Sequence, residues 1–249
     1  MKKLALIAAA VSVCMTGAAA AADMAPRTYT KAPPLGPVAV DSWSGFYLGG
    51  QAGGAWLRAG ESFINDAGAL DPLRFDDASS FIGGGHAGLQ GQWGSWVLGV
   101  EGTYNWTRLR ETVPSINPGA PRVRSLAIDD MASVVGKVGY TGGQWLVYVK
   151  GGWADLNIHP TSLNPATGVT STGGGWKSGW TVGGGVDYQF SKNWIAGIDA
   201  NYYTADFNGT QSFSSGIPGQ VVNSKAEIYA VTGRLSYLFN WGSPVVARY

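Results

Sequence analysis

Trp96-Val97-Leu98-Gly99-Val100-Glu101-Gly102-Thr103-Tyr104-Asn105-Trp106 alternates along its whole length. Trp96, Leu98, Val100, Tyr104 and Trp106 fall on one face; Val97, Glu101, Thr103 and Asn105 fall on the other. Successive side chains of a strand point to opposite sides, so this period of two predicts a β-strand with one apolar and one polar face. The apolar face begins and ends in tryptophan. A water-soluble sheet buries its apolar face and needs no aromatic ends, whereas a strand crossing a bilayer sets aromatic residues at both interfaces. The stretch also matches the ~9–11 residues that a tilted spanning strand requires.

The same pattern recurs outward in both directions, over residues 45–56, 81–93, 131–140, 145–153, 177–190, 194–203 and 227–239. Trp56, Trp93, Trp96, Trp106, Trp145, Trp153, Trp194 and Phe239 close the apolar faces and are expected to form the two aromatic girdles. Connections alternate as well. Those after the second, fourth and sixth segments are short, as at Gly94-Ser95. Those after the first, third, fifth and seventh are long and polar, around Asp71-Pro72, 114–121, 159–174 and 208–219. Short periplasmic turns and long outer loops are the usual asymmetry of outer-membrane barrels. The predicted fold is all-β: an eight-stranded antiparallel transmembrane β-barrel. Its even strand number returns both termini to the periplasm.

The N-terminus fits that destination. Met1-Lys2-Lys3 is basic, residues 4–13 are apolar, and residues 18–22 are all alanine, the plan of a cleaved secretory signal. The apolar run falls short of the ~20 residues of a spanning helix. The expected organisation is a signal peptide over 1–22, a Pro/Ala-rich periplasmic linker over 23–42, and a barrel with a short C-terminal tail over 43–249. Cys14, the only cysteine, lies in the signal, so the mature chain has no disulfide or thiol chemistry. Charged residues make up 13% of the chain, against about 25% in a soluble domain, while aromatics reach 12%. In lipid only helices and closed barrels satisfy the backbone, and no run after the signal is long and apolar enough for a helix. A net charge of +1 gives no case for a nucleic-acid partner.

Each of the last six segments carries one strong charge on its polar face: Glu101, Lys137, Lys150, Asp187, Asp199 and Arg234. An eight-stranded barrel has an interior just wide enough for side chains to fill, and an isolated charge there costs several kcal/mol. The balanced set predicts an internal salt-bridge network, with Glu101 against Lys137 and Lys150, and Asp187 or Asp199 against Arg234. Such a network either plugs the barrel or lines a narrow polar path; the plug is the favoured reading.

Catalytic alternatives are poorly supplied. His86 lies on a polar strand face, where it reads as a hydrogen-bonded interior residue. His159, with Ser162 nearby, falls in a long loop, and nothing fixes the carboxylate and oxyanion site that a hydrolase needs. Asp76-Asp77 and Asp129-Asp130 read as solvated loop ends. Gly83-Gly84-Gly85, Gly173-Gly174-Gly175 and Gly183-Gly184-Gly185 lack the Lys-Ser/Thr of a phosphate loop. No metal-ligand cluster and no cofactor motif is present, and the chain is expected not to be an enzyme.

Four stretches carry a resemblance. They are Trp43-Ser44-Gly45-Phe46-Tyr47-Leu48-Gly49, Trp96-Val97-Leu98-Gly99-Val100-Glu101-Gly102, Gly179-Trp180-Thr181-Val182-Gly183-Gly184-Gly185-Val186-Asp187-Tyr188 and the ending Pro244-Val245-Val246-Ala247-Arg248-Tyr249. From about Trp43 onward the chain resembles the small outer-membrane surface-antigen or "porin family" proteins of alphaproteobacteria, whose barrel is similar to the OmpA transmembrane domain. The resemblance implies a location in the Gram-negative outer membrane. It also implies, as partners, outer-membrane lipid, lipopolysaccharide and the barrel insertion machinery. Many such barrels end on an aromatic residue read by that machinery; here Tyr237 and Phe239 end the last strand, and a tail to Tyr249 follows. Three roles are open, ranked in this order: a structural surface barrel, a narrow channel for small solutes, and a binder of host or small-molecule ligands through its outer loops.

Overall fold

The computed structural model describes residues 42–64, 70–75, 78–115, 122–163, 165, 168, 170–206, 209–211 and 220–240. The expected signal peptide, nearly all of the linker, the tail beyond 240 and Asp76-Asp77 lie outside the described residues. The elements are β1 (Gly45–Ile64), β2 (Leu70–Phe75), β3 (Ser79–Trp93), β4 (Trp96–Ser115), β5 (Arg122–Gly142), β6 (Trp145–Leu163), β7 (Thr170–Thr172), β8 (Gly175–Gln189), β9 (Trp194–Asp206), β10 (Gly209–Gln211) and β11 (Gln220–Asn240). Among the described residues there is no helix.

Eight long strands run β1-β3-β4-β5-β6-β8-β9-β11, each antiparallel to its neighbours, and β11 pairs back with β1. That closing ladder runs from Gly45 opposite Asn240 to Ser62 opposite Asn223. The result is a closed eight-stranded barrel. The short strands β2, β7 and β10 each pair with one long strand (β1, β6 and β11) at the end where the long hairpins lie.

At the other end the hairpins are tight. Gly94 and Gly143 open the two-residue turns between β3 and β4 and between β5 and β6, with φ of 61° and 72°. A residue with φ above zero first and below zero second suits the right-handed twist of a hairpin, and glycine takes that first position without steric cost. Alternation then sets two surfaces. Trp56, Trp93, Trp96, Trp106, Trp145, Trp153, Trp194 and Phe239 all point outward, 40–64% exposed. Ring contacts extend them into two belts. At the short-turn end Trp96 meets Tyr140 at 5.5 Å, Trp145 meets Tyr188 at 4.6 Å and Trp194 meets Tyr237 at 5.3 Å. At the long-hairpin end Trp180 meets Tyr202 at 5.5 Å, and Tyr202 meets Tyr229 at 5.1 Å. From Trp96 to Trp106, at about 3.3 Å per residue and a tilt near 40°, the apolar band between the belts is roughly 25 Å tall.

The strands do not stop at the second belt. β1 continues to Ile64, β4 to Ser115 and β6 to Leu163, so Pro114 and the stretch 159–163, expected in loops, are strand. His159 therefore stands on β6, opposite Ala127 of β5. Asp71-Pro72 lies in β2, and Asp129-Asp130, expected as loop ends, stand well inside β5, where the register with β6 breaks between Ile128 and Asp130. Above the belt the barrel holds its own apolar cluster, which includes Leu57, Ile82, Leu109, Leu126, Ile128, Leu156, Ile158 and Ile228.

Closure also explains part of the glycine content. A side chain at inward-facing Gly53 would meet the Val231 carbonyl and Thr232 Cα, whereas one at outward-facing Gly233 would meet nothing nearer than the Ala52 carbonyl at 3.9 Å. Gly53→Val should therefore prevent assembly, since forced overpacking costs about 1–3 kcal/mol or more, while Gly233→Ala should assemble normally. The heat-modifiable mobility of the folded barrel on SDS gels reads both.

Candidate functional site in the barrel interior

Going in from the short-turn end, the interior begins with an apolar plate. Trp43, Tyr47, Val97, Leu146, Tyr148, Ile195 and Leu238 pack together there, all at most 3% exposed. Trp43 precedes β1 and is held by three hydrogen bonds. Its backbone N–H donates to Gln92 Oε1 at 2.9 Å, its indole Nε1 to the Gly143 carbonyl at 3.2 Å, and its own carbonyl accepts from Gln90 Nε2 at 2.7 Å. Ser42 is tied in as well, its carbonyl accepting from Asn240 Nδ2 at 2.8 Å.

The next layer holds all six expected charges, each at most 6% exposed and each on a different strand. Glu101 is the hub. Lys150 Nζ donates to its Oε1 at 2.9 Å, and Arg234 Nη2 donates to Oε2, which also accepts from Tyr47 Oη at 2.8 Å. Lys150 also bonds Asp199. Lys137 reaches across to Asp187 at 3.1 Å rather than to Glu101, so one expected pairing is replaced by another. Arg234 lies between all three carboxylates, 3.5 Å from Asp199 and 3.8 Å from Asp187. Three acids face three bases, and the layer is neutral as a whole.

Two tyrosines complete it, and the sequence reading gave them no role. Arg234 Nη1 donates to Tyr148 Oη at 3.0 Å, and the Lys137 ammonium sits 3.9 Å from the centre of the Tyr148 ring and 5.4 Å from that of Tyr47. Such contacts offset part of the desolvation of the buried cations. Their signal was the placing of Tyr47 and Tyr148 on the polar side of an alternation. His86 shares a buried hydrogen bond of 2.7 Å with Ser236 beside this layer.

Towards the long hairpins the charges give way to neutral pairs. Gln51 Nε2 donates to Asn105 Oδ1 at 2.6 Å, and the hydroxyls of Thr103 and Ser133 lie 2.6 Å apart. Beyond them comes the second apolar cluster. Along its axis the interior thus reads apolar, charged, polar, apolar, with side chains of different strands bonded to one another in the charged and polar layers.

Known proteins resemble this one in sequence and in fold. Residues 6–206 match the family model of the outer membrane protein β-barrel domain. The 31 kDa outer-membrane immunogenic proteins of Brucella melitensis and Brucella suis are each 27% identical over 247 residues, covering 94% of this chain and 99% of theirs. Among solved structures, the outer membrane protease OmpT of Escherichia coli superposes with a TM-score of 0.51 at 10% identity, over 78% of this chain and 97% of that one, a likeness of fold alone. With its closed barrel, its apolar band and a family match over most of its length, the chain belongs to the outer membrane protein β-barrel domain family, and it resides in the Gram-negative outer membrane.

Proposed function

We propose that the protein is a structural surface barrel of the cell envelope, its interior shut to solutes, its long hairpins outside the cell and its termini in the periplasm. The observation that carries the closed interior is the neutral six-charge layer braced between two apolar clusters. A solute moving along the axis would have to part Glu101 from Arg234 and Lys150, and also move Trp43 and its neighbours. Removing one partner from a buried ion pair costs about 3–5 kcal/mol, so a state in which the layer is parted is held to a minor population, on the order of one molecule in a few hundred to a few thousand. The channel reading has only the middle of the axis in its favour, where Gln51, Thr103 and Asn105 are polar. The aromatic belts seat the barrel in the two interfaces of the membrane. The two Brucella proteins are named as outer-membrane immunogenic proteins, and that likeness supports reading this chain as a surface antigen.

The purified mature protein should give no steady conductance in a planar bilayer and no swelling of liposomes in sugars of graded size; sustained open current would overturn the closed interior. Glu101→Ala leaves Arg234 and Lys150 short of an acceptor, so it should lower unfolding stability by about 3–5 kcal/mol. Glu101→Ala with Arg234→Met restores neutrality and should recover part of that loss, a coupling that a double-mutant cycle in urea measures. Orientation is read by single cysteines in the otherwise cysteine-free mature chain. A membrane-impermeant maleimide on whole cells should label Thr112→Cys and spare Ser95→Cys, and the reverse pattern would invert the barrel.

A further inference from the structure

The outward surface is not uniform around the barrel. Just beyond the second aromatic belt, the wall made by β1, β3 and β4 carries Arg58, Arg108 and Arg110, all exposed. Among the described residues of these three strands no carboxylate faces outward beside them; the neighbouring carboxylates stand on the flanking strands, Glu227 of β11 directly opposite Arg58 and Asp129 of β5 beside Arg110. Arg110 leans on Asp129 of β5 at 3.4 Å and keeps 68% of its side chain exposed; Arg58 lies 5.6 Å from the centre of the Tyr229 ring. Among the described residues Arg108 is tied through its backbone N–H, which donates to Ser80 Oγ at 3.2 Å. β1 and β4 are separated by one strand, a lateral spacing of about 10 Å, and the register through β3 sets Arg58 about two residues further along the barrel than Arg110 and four further than Arg108, so it stands roughly 12 Å and 16 Å from them.

Directly beneath them Trp56, Phe81 and Trp106 form one platform. Gly54, under the Trp56 indole, is opposite Phe81, and the Phe81 ring and the Trp106 indole both lie over Gly83. Below the platform the same wall carries a low patch, bounded towards the short-turn end by the exposed Leu48, Leu89 and Val100. Gly50 pairs with Gly85, Ala52 with Gly83 and Gly233, and Ala87 with Gly102. A side chain at Gly50, Gly85, Gly102 or Gly233 would meet nothing nearer than 3.6 Å, so the fold itself does not demand these glycines. Other walls carry Val134, Val149, Val182 and Ile198 at this depth.

We propose that this wall is a docking site for a phosphorylated, multiply acylated glycolipid of the outer leaflet, its phosphates on Arg58, Arg108 and Arg110 and its acyl chains against the smooth wall below. Charge complementarity selects the occupant. Guanidinium groups bind phosphate through paired, charge-assisted hydrogen bonds, and three of them at the headgroup level, above an aromatic step and a flat apolar surface, match an anionic head on close-packed saturated chains. A second copy of this chain docked symmetrically through the same wall would bring two arginine clusters together. The proposal rests on the orientation given above, since only that orientation puts the arginines in the outer leaflet.

Native mass spectrometry of the mature barrel in detergent tests the site whichever way it faces in cells, so a wrong orientation and a wrong site fail separately. The probes are lipid A and the same lipid stripped of its phosphates. The wild type should retain lipid A, and the R58A/R108A/R110A variant should bind it at least roughly tenfold more weakly. Phosphate removal should weaken binding to the wild type and leave the triple variant unaffected. Gly50→Leu with Gly85→Leu, which spares the arginines, should reduce retention by roughening the wall. Heat-modifiable mobility shows that each variant is folded. Equal retention by wild type and triple variant, or indifference to the phosphates, overturns the site. So does a wild-type dimer abolished by the leucine pair alone, which would make the occupant a second copy.

Discussion

A strand edge exposed to hydrocarbon leaves backbone N–H and C=O groups unpaired at several kcal/mol each. The pairing of β1 with β11 removes the last such edge, and the rest of the molecule follows from it. Closure over eight strands fixes a narrow interior, so one face of every strand must fill that space and the other must meet lipid. Small inward residues such as Gly53 are then required where neighbouring strands crowd, and the tight turns at Gly94 and Gly143 must reverse the chain within two residues.

Charges enter this interior at a cost that geometry has to offset. Two unit charges 4 Å apart attract by about 4 kcal/mol at an effective dielectric constant of 20, comparable with the several kcal/mol each ion loses on leaving water. The layer around Glu101 therefore adds little net stability over an apolar filling. It does bear on register. Its six members stand on six different strands, and a slip of one residue turns a charge outward. An arginine or lysine facing lipid at the midplane costs about 2–4 kcal/mol, a penalty for misregister that an all-apolar interior would lack.

The transmembrane part of each strand was legible because composition and period agree there: Val100 faces lipid and Glu101 faces the interior. Beyond the second belt the sense of the alternation inverts. On β4 the outward residues become Arg108 and Arg110, while Leu109 turns inward. A reading that follows apolar residues along one face ends at Trp106, although the strand runs on to Ser115. That inversion is why Pro114 and His159 were expected in loops. The six interior charges were legible from strand phase, one per strand, but their partners were not. Whether Lys137 meets Asp187 or Glu101 depends on the stagger of strands across the barrel, which no single segment encodes. The role of Trp43 was hidden for a related reason: its burial comes from folding back under the barrel, outside any alternation.

The inversion bears on what the protein presents at its surface. A hairpin without a core of its own would be marginal in water. Here Leu57, Leu109, Ile128, Leu156 and Ile228 continue an apolar core past the second belt, and the ladders continue with them: β4 pairs with β5 as far as Ser115 opposite Arg122, and β5 with β6 as far as Val123 opposite Leu163. In the proposed orientation, the part nearest the membrane on the outer side is thus a rigid extension of the barrel whose outward residues are fixed in register. Neighbouring positions on that surface come from different strands, as Thr112 and Ser125 do, their hydroxyls 2.9 Å apart. An antibody or ligand meeting this surface would read side chains assembled by strand pairing, and unfolding the barrel would erase what it reads.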